Sequence, residues 1–178
     1  MLILPLPTPR QLCVYLFVEC IYHSWAALSI ALGWAPSEFG EIFDRPWQAE
    51  SMHDFWGKRW HPLFAPTFAF YSHPLPPVLK PAAVFLVSGL IHDLGALPFR
   101  PGELSPAITL FFFVQCVALG LERLWSKAGL GRVGGPVGRI WTIGWIVGTG
   151  MIVVEGWLKK GLLGMAVRTI WSAAGVDK

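Results

Sequence analysis

Charge is what this sequence has least of. Asp, Glu, Lys and Arg make up 14% of its 178 residues, where an ordinary soluble domain carries about 25%. Apolar residues make up 54% and the mean hydropathy is +0.52. That deficit excludes a soluble globule, and the length leaves room for one domain. A dense basic patch is missing too. The net charge is only +3 and the basic residues are scattered, which excludes a nucleic-acid-binding surface. Loops facing anionic headgroups or an anionic cosubstrate fit better. Cysteine is scarce. Cys13, Cys20 and Cys116 are odd in number and lie in apolar stretches, so they read as small packing residues and not as a disulfide framework. The N-terminus lacks the basic opening and long apolar core of a secretory signal. No internal repeat or low-complexity segment interrupts the chain.

Several chemical signatures are absent as well. There is no G-x-S-x-G elbow, which argues against a serine hydrolase. The histidines, His23, His53, His61, His73 and His92, form no H-x-x-x-H pair, so no metal is expected. Gly129-Leu-Gly131-Arg-Val-Gly134 matches a dinucleotide fingerprint, but it follows an apolar run and not a strand, so it reads as a loop.

Four apolar runs are present, at 11–34, 81–97, 106–125 and 137–157. Each can cross the hydrocarbon core, the second only just. Trp34, Trp125, Trp141 and Trp157 sit near the run ends, where interfacial aromatics belong. The expected fold is all-α, a polytopic membrane bundle of about four transmembrane helices plus one interfacial helix. Within the first run, Glu19 and His23 lie four apart beside Tyr22, and that polar face is expected to look into the bundle. Gly144 and Gly148 form a G-x-x-x-G that predicts close packing of the last helix. Residues 63–79 are broken by prolines and predict a short re-entrant helix. Residues 162–174 are expected at the surface. Eight of the 14 basic residues fall in 35–80 and 123–139, a slight excess that puts both connections on the cytosolic side.

The polar connection 35–62 and the second run carry the chemistry. Ser51-Met-His-Asp54 has the S-x-x-D form of a helix cap. Trp56 and Trp60 follow four apart, predicting an amphipathic surface helix with both indoles on one face. Ser88-Gly-Leu-Ile-His92-Asp93 then puts an imidazole inside an apolar run. Such a group can take a proton near neutral pH, and its cost in lipid makes it a functional candidate. The competing reading of His92 is a packing residue bonded to a helix carbonyl. Asp93 reads as an orienting or capping group.

F-W-G-K-R-W-H at 55–61, followed by S-G-L-I-H at 88–92, resembles the wax synthase branch of the membrane-bound O-acyltransferases. That branch has D-F-W-G-R-R-W-H/N and then S-G-x-x-H. Phe43-Asp-Arg-Pro-Trp47 and Gly138-Arg-Ile-Trp-Thr142 fit as well. The aromatic motif also resembles the F-Y-x-D-W-W-N pattern of sterol and diacylglycerol acyltransferases, with His61 at the Asn position. Lys58 stands where the usual residue is Arg, keeping the charge without the fork. The resemblance covers most of 40–157, is to the C-terminal half alone, and makes residues 1–178 a single wax synthase-like domain.

The resemblance implies an acyl-CoA-dependent O-acyltransferase. It would move an acetyl or fatty acyl group to the hydroxyl of a lipophilic alcohol: a fatty alcohol, a terpenoid or another secondary metabolite. His92 would be the general base, and His61 would orient the donor or stabilise the transition state. Trp56, Lys58, Arg59 and Trp60 would bind acyl-CoA, which is a cosubstrate; no cofactor and no metal are implied. The implied partners are the bilayer and the two substrates, with no nucleic acid and with room for a second copy or a partner chain. The implied location is the endoplasmic reticulum membrane, as a multi-pass protein. The alternative is a non-catalytic, truncated family member serving as a membrane scaffold or partner subunit.

Overall fold

The structure is a computed structural model that describes residues 9–96 and 106–159, with side chains described over 15–95 and 106–151. The expected surface segment 162–174 and the Cys13 side chain lie outside the described residues. The described chain is helical. Its elements are α1 (Pro9–Ala31), α2 (Met52–Asp54), α3 (Ala65–Ser72), α4 (Lys80–Ala96), α5 (Ala107–Lys127) and α6 (Gly135–Lys159). Three short 3₁₀ turns, Pro36–Glu38, Pro46–Gln48 and Pro62–Phe64, each open on proline, whose fixed φ suits a first helical position.

The four apolar runs are thus four long helices, and the proline-rich segment holds the short α3. Among the described residues one helix, Ala107–Lys127, is long and apolar enough to cross a membrane. Helices α4 and α5 run antiparallel: Phe85 stacks on Phe112 at 6.3 Å, while farther along α4 Asp93 accepts from the Thr109 backbone N–H at 3.2 Å. The Thr109 hydroxyl donates to the same carboxylate oxygen. Thr109 is in the first turn of α5, where backbone donors have no intrahelical acceptor. Asp93 therefore caps the first turn of α5 from the neighbouring helix, a more specific role than the orienting or capping one expected. Helix α6 runs antiparallel to α5, joined by Gln115 Nε2 donating to Thr149 Oγ1 at 3.2 Å.

Close backbone approach and interhelical bonds hold these helices together, as well as apolar contact. Gly89 shows this. A Cβ there would meet Thr109 Cα at 2.7 Å. The buried core where α4 meets α5 is Phe85, Ile108 and Phe112, with Trp56, Phe111, Cys116 and Leu119 packed against it. Trp56 comes from the polar connection and wedges into that seam.

Two expectations about helix faces are corrected. Among the described residues, nothing lies within 4 Å of a Cβ placed on Gly144 or Gly148. α6 instead packs on α5 through Thr149, and small residues only permit close approach without requiring it. Glu19 and His23 do pair, at 2.9 Å, but the His23 side chain is 68% exposed. The packed stripe of α1 is set elsewhere. Ala26 and Ser29 are buried, Tyr15 lies against Phe43 at 4.8 Å, and the Tyr22 hydroxyl donates to the Gly40 carbonyl at 2.6 Å. These positions recur at helical spacing and leave His23 beyond the edge of the stripe.

Candidate active site

The segment 43–61 begins its helix where the sequence predicts. The Asp54 N–H donates to Ser51 Oγ at 2.9 Å. The Asp54 carboxylate in turn accepts from the Glu50 N–H at 3.3 Å and from Arg59 Nε at 2.7 Å. Burial favours the neutral acid, but the Arg59 bond, the Glu50 N–H and the nearby cations of Arg59 and Lys58 outweigh it and hold the carboxyl below its usual range.

The expected amphipathic α-helix does not continue. Residues Phe55–Arg59 form a π turn, closed by the Trp60 N–H donating to the Phe55 carbonyl at 2.8 Å. Three causes combine, two of them local. Gly57 sits in its middle and is a weak helix former. The Arg59 carbonyl accepts the Asp44 N–H at 2.9 Å, and Phe43 and Trp60 form an antiparallel bridge, which draws Trp60 into extended conformation. His61 precedes Pro62, which disfavours the right-handed helical region, and His61 adopts φ 52°. Such single-turn π segments recur at functional sites.

This geometry gathers rings. Trp56 and Trp60 do meet, edge to face at 6.2 Å. Trp60 stacks on Phe55 at 5.4 Å and lies 5.1 Å from His61, which is also flanked by Phe43 at 4.7 Å and Phe64 at 5.8 Å. On its other side Trp56 lies 5.8 Å from Phe112, and Phe112 lies 5.0 Å from His92. A continuous path of aromatic contacts therefore joins His61 to His92 through Trp60, Trp56 and Phe112. The two histidines, 31 positions apart in the numbering, share one cluster.

His92 has a defined tautomer. Its Nδ1 lies 2.7 Å from the Ser88 carbonyl oxygen. A carbonyl only accepts, so Nδ1 carries a proton, and in the neutral ring Nε2 is the nitrogen with the lone pair. The ring is twelve residues beyond Lys80, about 18 Å along the helix, and is exposed on its outer side. The described residues do not close over it.

His61 is the more enclosed of the two. Burial and, less strongly, the neighbouring His92 push its pKa down to about 4, against a hydrogen bond to the Ile42 backbone and the charge of Glu19. Its Nδ1 is buried and has no hydrogen-bond partner among the described residues. His61 is thus a neutral imidazole at physiological pH. Its folded pKa lies below the unfolded value, so the unfolded chain binds the extra proton first. The stability gained from a neutral buried ring is present in full above about pH 6.5 and is lost progressively as pH falls toward 4. An NMR titration of the ring should show no protonation of His61 above pH 5. A midpoint near 6.5 would contradict its enclosed position.

The cationic pair divides. Lys58 is exposed. Arg59 is engaged inside the segment, bonded to Asp54 and, through Nη1, to the Asp44 and Arg45 carbonyls at 3.3 Å each. Of the six residues predicted for the site, Trp56, Trp60, His61 and His92 come together, whereas Lys58 is exposed and Arg59 is tied up by Asp54 and the two loop carbonyls. Sequence reasoning missed Phe112, the ring that joins the two halves. It is one of three consecutive phenylalanines, 111–113, and nothing local marks it out.

The described cluster spans the stretch of chain that comparison with known proteins singles out. Residues 39–115 match the model of the membrane bound O-acyl transferase family. This stretch belongs to that family. The chain is also 30% identical over 138 residues to a probable long-chain-alcohol O-fatty-acyltransferase 8 of Arabidopsis thaliana, covering 70% of the chain and 40% of the relative. An acyl-CoA–sterol O-acyltransferase 1 of the same plant is 29% identical over 112 residues, 56% of the chain and 31% of the relative. The acetyltransferase ple2 of Rhodocybe pseudopiperita is 28% identical over 150 residues, 73% of the chain and 40% of the relative. The chain spans well under half the length of these acyltransferases. No solved structure matches it. Both motifs and Phe112 fall inside the family stretch, so the ring cluster is family sequence folded into one place.

Proposed function

We propose that the protein is a multi-pass membrane O-acyltransferase, located in the endoplasmic reticulum membrane, that transfers an acetyl or fatty acyl group from acyl-CoA to a lipophilic alcohol. The observation that carries this reading is His92: a proton held on Nδ1 by the Ser88 carbonyl, which leaves Nε2 as the basic nitrogen of the neutral ring, and a ring resting on the cluster that holds His61. An alcohol arriving from the membrane donates its proton to Nε2 as its oxygen attacks the thioester carbonyl. The tetrahedral intermediate collapses, the carbon–sulfur bond breaks, and CoA leaves as the thiol after taking that proton back from His92. His61, neutral and wedged between Phe43, Trp60 and Phe64, supports the donor side without competing for the proton. Trp56 and Trp60 lie between the two histidines in the aromatic cluster, and holding both substrates against that cluster supplies proximity.

Lys58 and Arg59 serve the donor in different ways on this reading. Lys58, being exposed, meets the CoA phosphates as a point charge. Arg59, bonded to Asp54 and two carbonyls, shapes the segment and adds positive charge beside it. Membranes containing the protein, given labelled acetyl-CoA or palmitoyl-CoA with a panel of alcohols, should form labelled ester. Lys58→Gln should raise the donor KM with kcat nearly unchanged. Arg59→Gln should lower kcat and the folded yield together. An unchanged donor KM in Lys58→Gln removes it from the donor site, and absence of ester with every pair overturns the transferase reading.

A second reading has one observation in its favour. The outer side of His92 is exposed, and water exclusion is a common requirement for such transfer. A chain acting as a scaffold or partner subunit would keep the ring cluster yet form no ester by itself.

A further inference from the structure

Two glutamates that belong to neither histidine motif hold the aromatic segment in place. Glu122, near the C-terminal end of α5, accepts the Met52 N–H at 2.6 Å on Oε1 and the His53 N–H at 3.2 Å on Oε2. Its Oε1 also accepts Trp141 Nε1–H from α6 at 3.1 Å. These two amides open the helical segment that leads to Trp56, and backbone donors in a first turn have no partner within their own helix. Glu50 makes the reverse connection. Its Oε2 accepts the Gly135 N–H at the start of α6 at 3.0 Å, and its Oε1 lies 3.5 Å from Arg139 Nη2. Its carbonyl oxygen sits where a Cβ on Gly138 would overlap it. Thr142 Oγ1 donates back to the Gly138 carbonyl at 2.8 Å. Gly138, Arg139, Trp141 and Thr142 of the Gly138–Thr142 stretch thus each have a task in this junction.

We infer that Glu122 is a positioning residue for the active site, one half of a reciprocal carboxylate latch that fixes the Phe55–His61 segment against α5 and α6. α5 carries both Glu122 and Phe112, the ring that touches Trp56 and His92. Fixing Met52 and His53 on Glu122 therefore sets where Trp56 enters the seam and how far His61 stands from His92. Glu122 lies beyond the residues that the family model matches, 39–115, and sequence alone shows it only as an acidic residue near the end of an apolar run. The inference deepens the acyltransferase reading and rests on it for its kinetic consequence.

Hydrogen exchange and steady-state kinetics on the full chain in lipid nanodiscs test the latch together. In the wild type the Met52 and His53 amides should be protected. Glu122→Ala should speed their exchange at least tenfold, leave α4 amides unchanged, and lower kcat at least tenfold. Glu122→Gln keeps one acceptor oxygen but turns an N–H toward a donor, so it should fall between. Trp141→Phe removes one bond only and guards against a Glu122→Ala protein that does not fold; it should weaken protection by a smaller factor. Protected amides in both Glu122 variants overturn the latch. Lost protection with wild-type turnover overturns the positioning role. If the wild type forms no ester, the transferase reading fails by itself, and exchange alone still decides whether Glu122 holds the segment.

Discussion

His92→Gln should lower turnover by about two to four orders of magnitude, the usual range for losing a general base, with little change in the amount of folded protein. The structure makes this substitution more informative than alanine. His92 uses Nδ1–H to bond the Ser88 carbonyl at 2.7 Å, and a Gln amide can offer an N–H to the same acceptor. What Gln cannot offer is the free imidazole lone pair that Nε2 presents. A packing histidine, whose work is the Ser88 bond, predicts that Gln restores function and that Ala lowers expression. A catalytic base predicts that both variants fail while both still insert. Ester formed per folded protein, measured for His92→Ala and His92→Gln, separates the two. Near-normal turnover in the Gln variant would remove the proposed mechanism even with the family membership intact.

The sequence was informative where the determinants are local. Hydropathy located the four long helices because each buries or exposes a continuous apolar run. Ser51 and Asp54 announced their cap because that bond spans three residues. The pairing of 55–61 with 88–92 pointed to one site before any geometry was known. It failed where a distant contact decides the backbone. The π turn at Phe55–Arg59 depends on Asp44 and Phe43 reaching the Arg59 carbonyl and Trp60 from the preceding loop. No periodicity within 51–61 encodes that. His61 was half legible: Pro62 disfavours an ordinary helical conformation there, but the enclosure by Phe43 and Phe64 comes from tertiary structure. Gly144 and Gly148 were misread for a related reason. A small-residue pattern says that a neighbour can come close, and only the opposing surface says whether one does. Gly89 and Gly138, which do meet a backbone, were embedded in motifs whose functional look hid their packing role. Glu50 and Glu122 carried no signal, because their partners are backbone amides 69 to 85 residues away.

Gly89→Ala should be nearly as damaging as loss of the imidazole, though it removes no functional group. The added Cβ would stand 2.7 Å from Thr109 Cα and 3.2 Å from Thr109 Cβ and Oγ1. The nearest of these is backbone in the first turn of α5, and Asp93 holds that turn through the Thr109 N–H and hydroxyl. Thr109 cannot yield without breaking the cap, so α4 must move away from α5. Overpacking of this kind costs about 1–3 kcal/mol, and the thermal midpoint should fall. The effect on function is larger than the effect on stability, because His92 rides on α4 while Phe112 stays with α5. A displacement of about 1 Å at a reacting group can cost about 100-fold in rate. Thr109→Ala in the same chain should not rescue Gly89→Ala, since it trims the side chain and leaves the Cα in place. If the double variant recovers wild-type turnover, the clash is with the threonine side chain, and the close backbone approach of α4 to α5 is not what seats His92. If Gly89→Ala alone keeps both its thermal midpoint and its rate, the glycine of the S-G-x-x-H motif has no packing role in this protein.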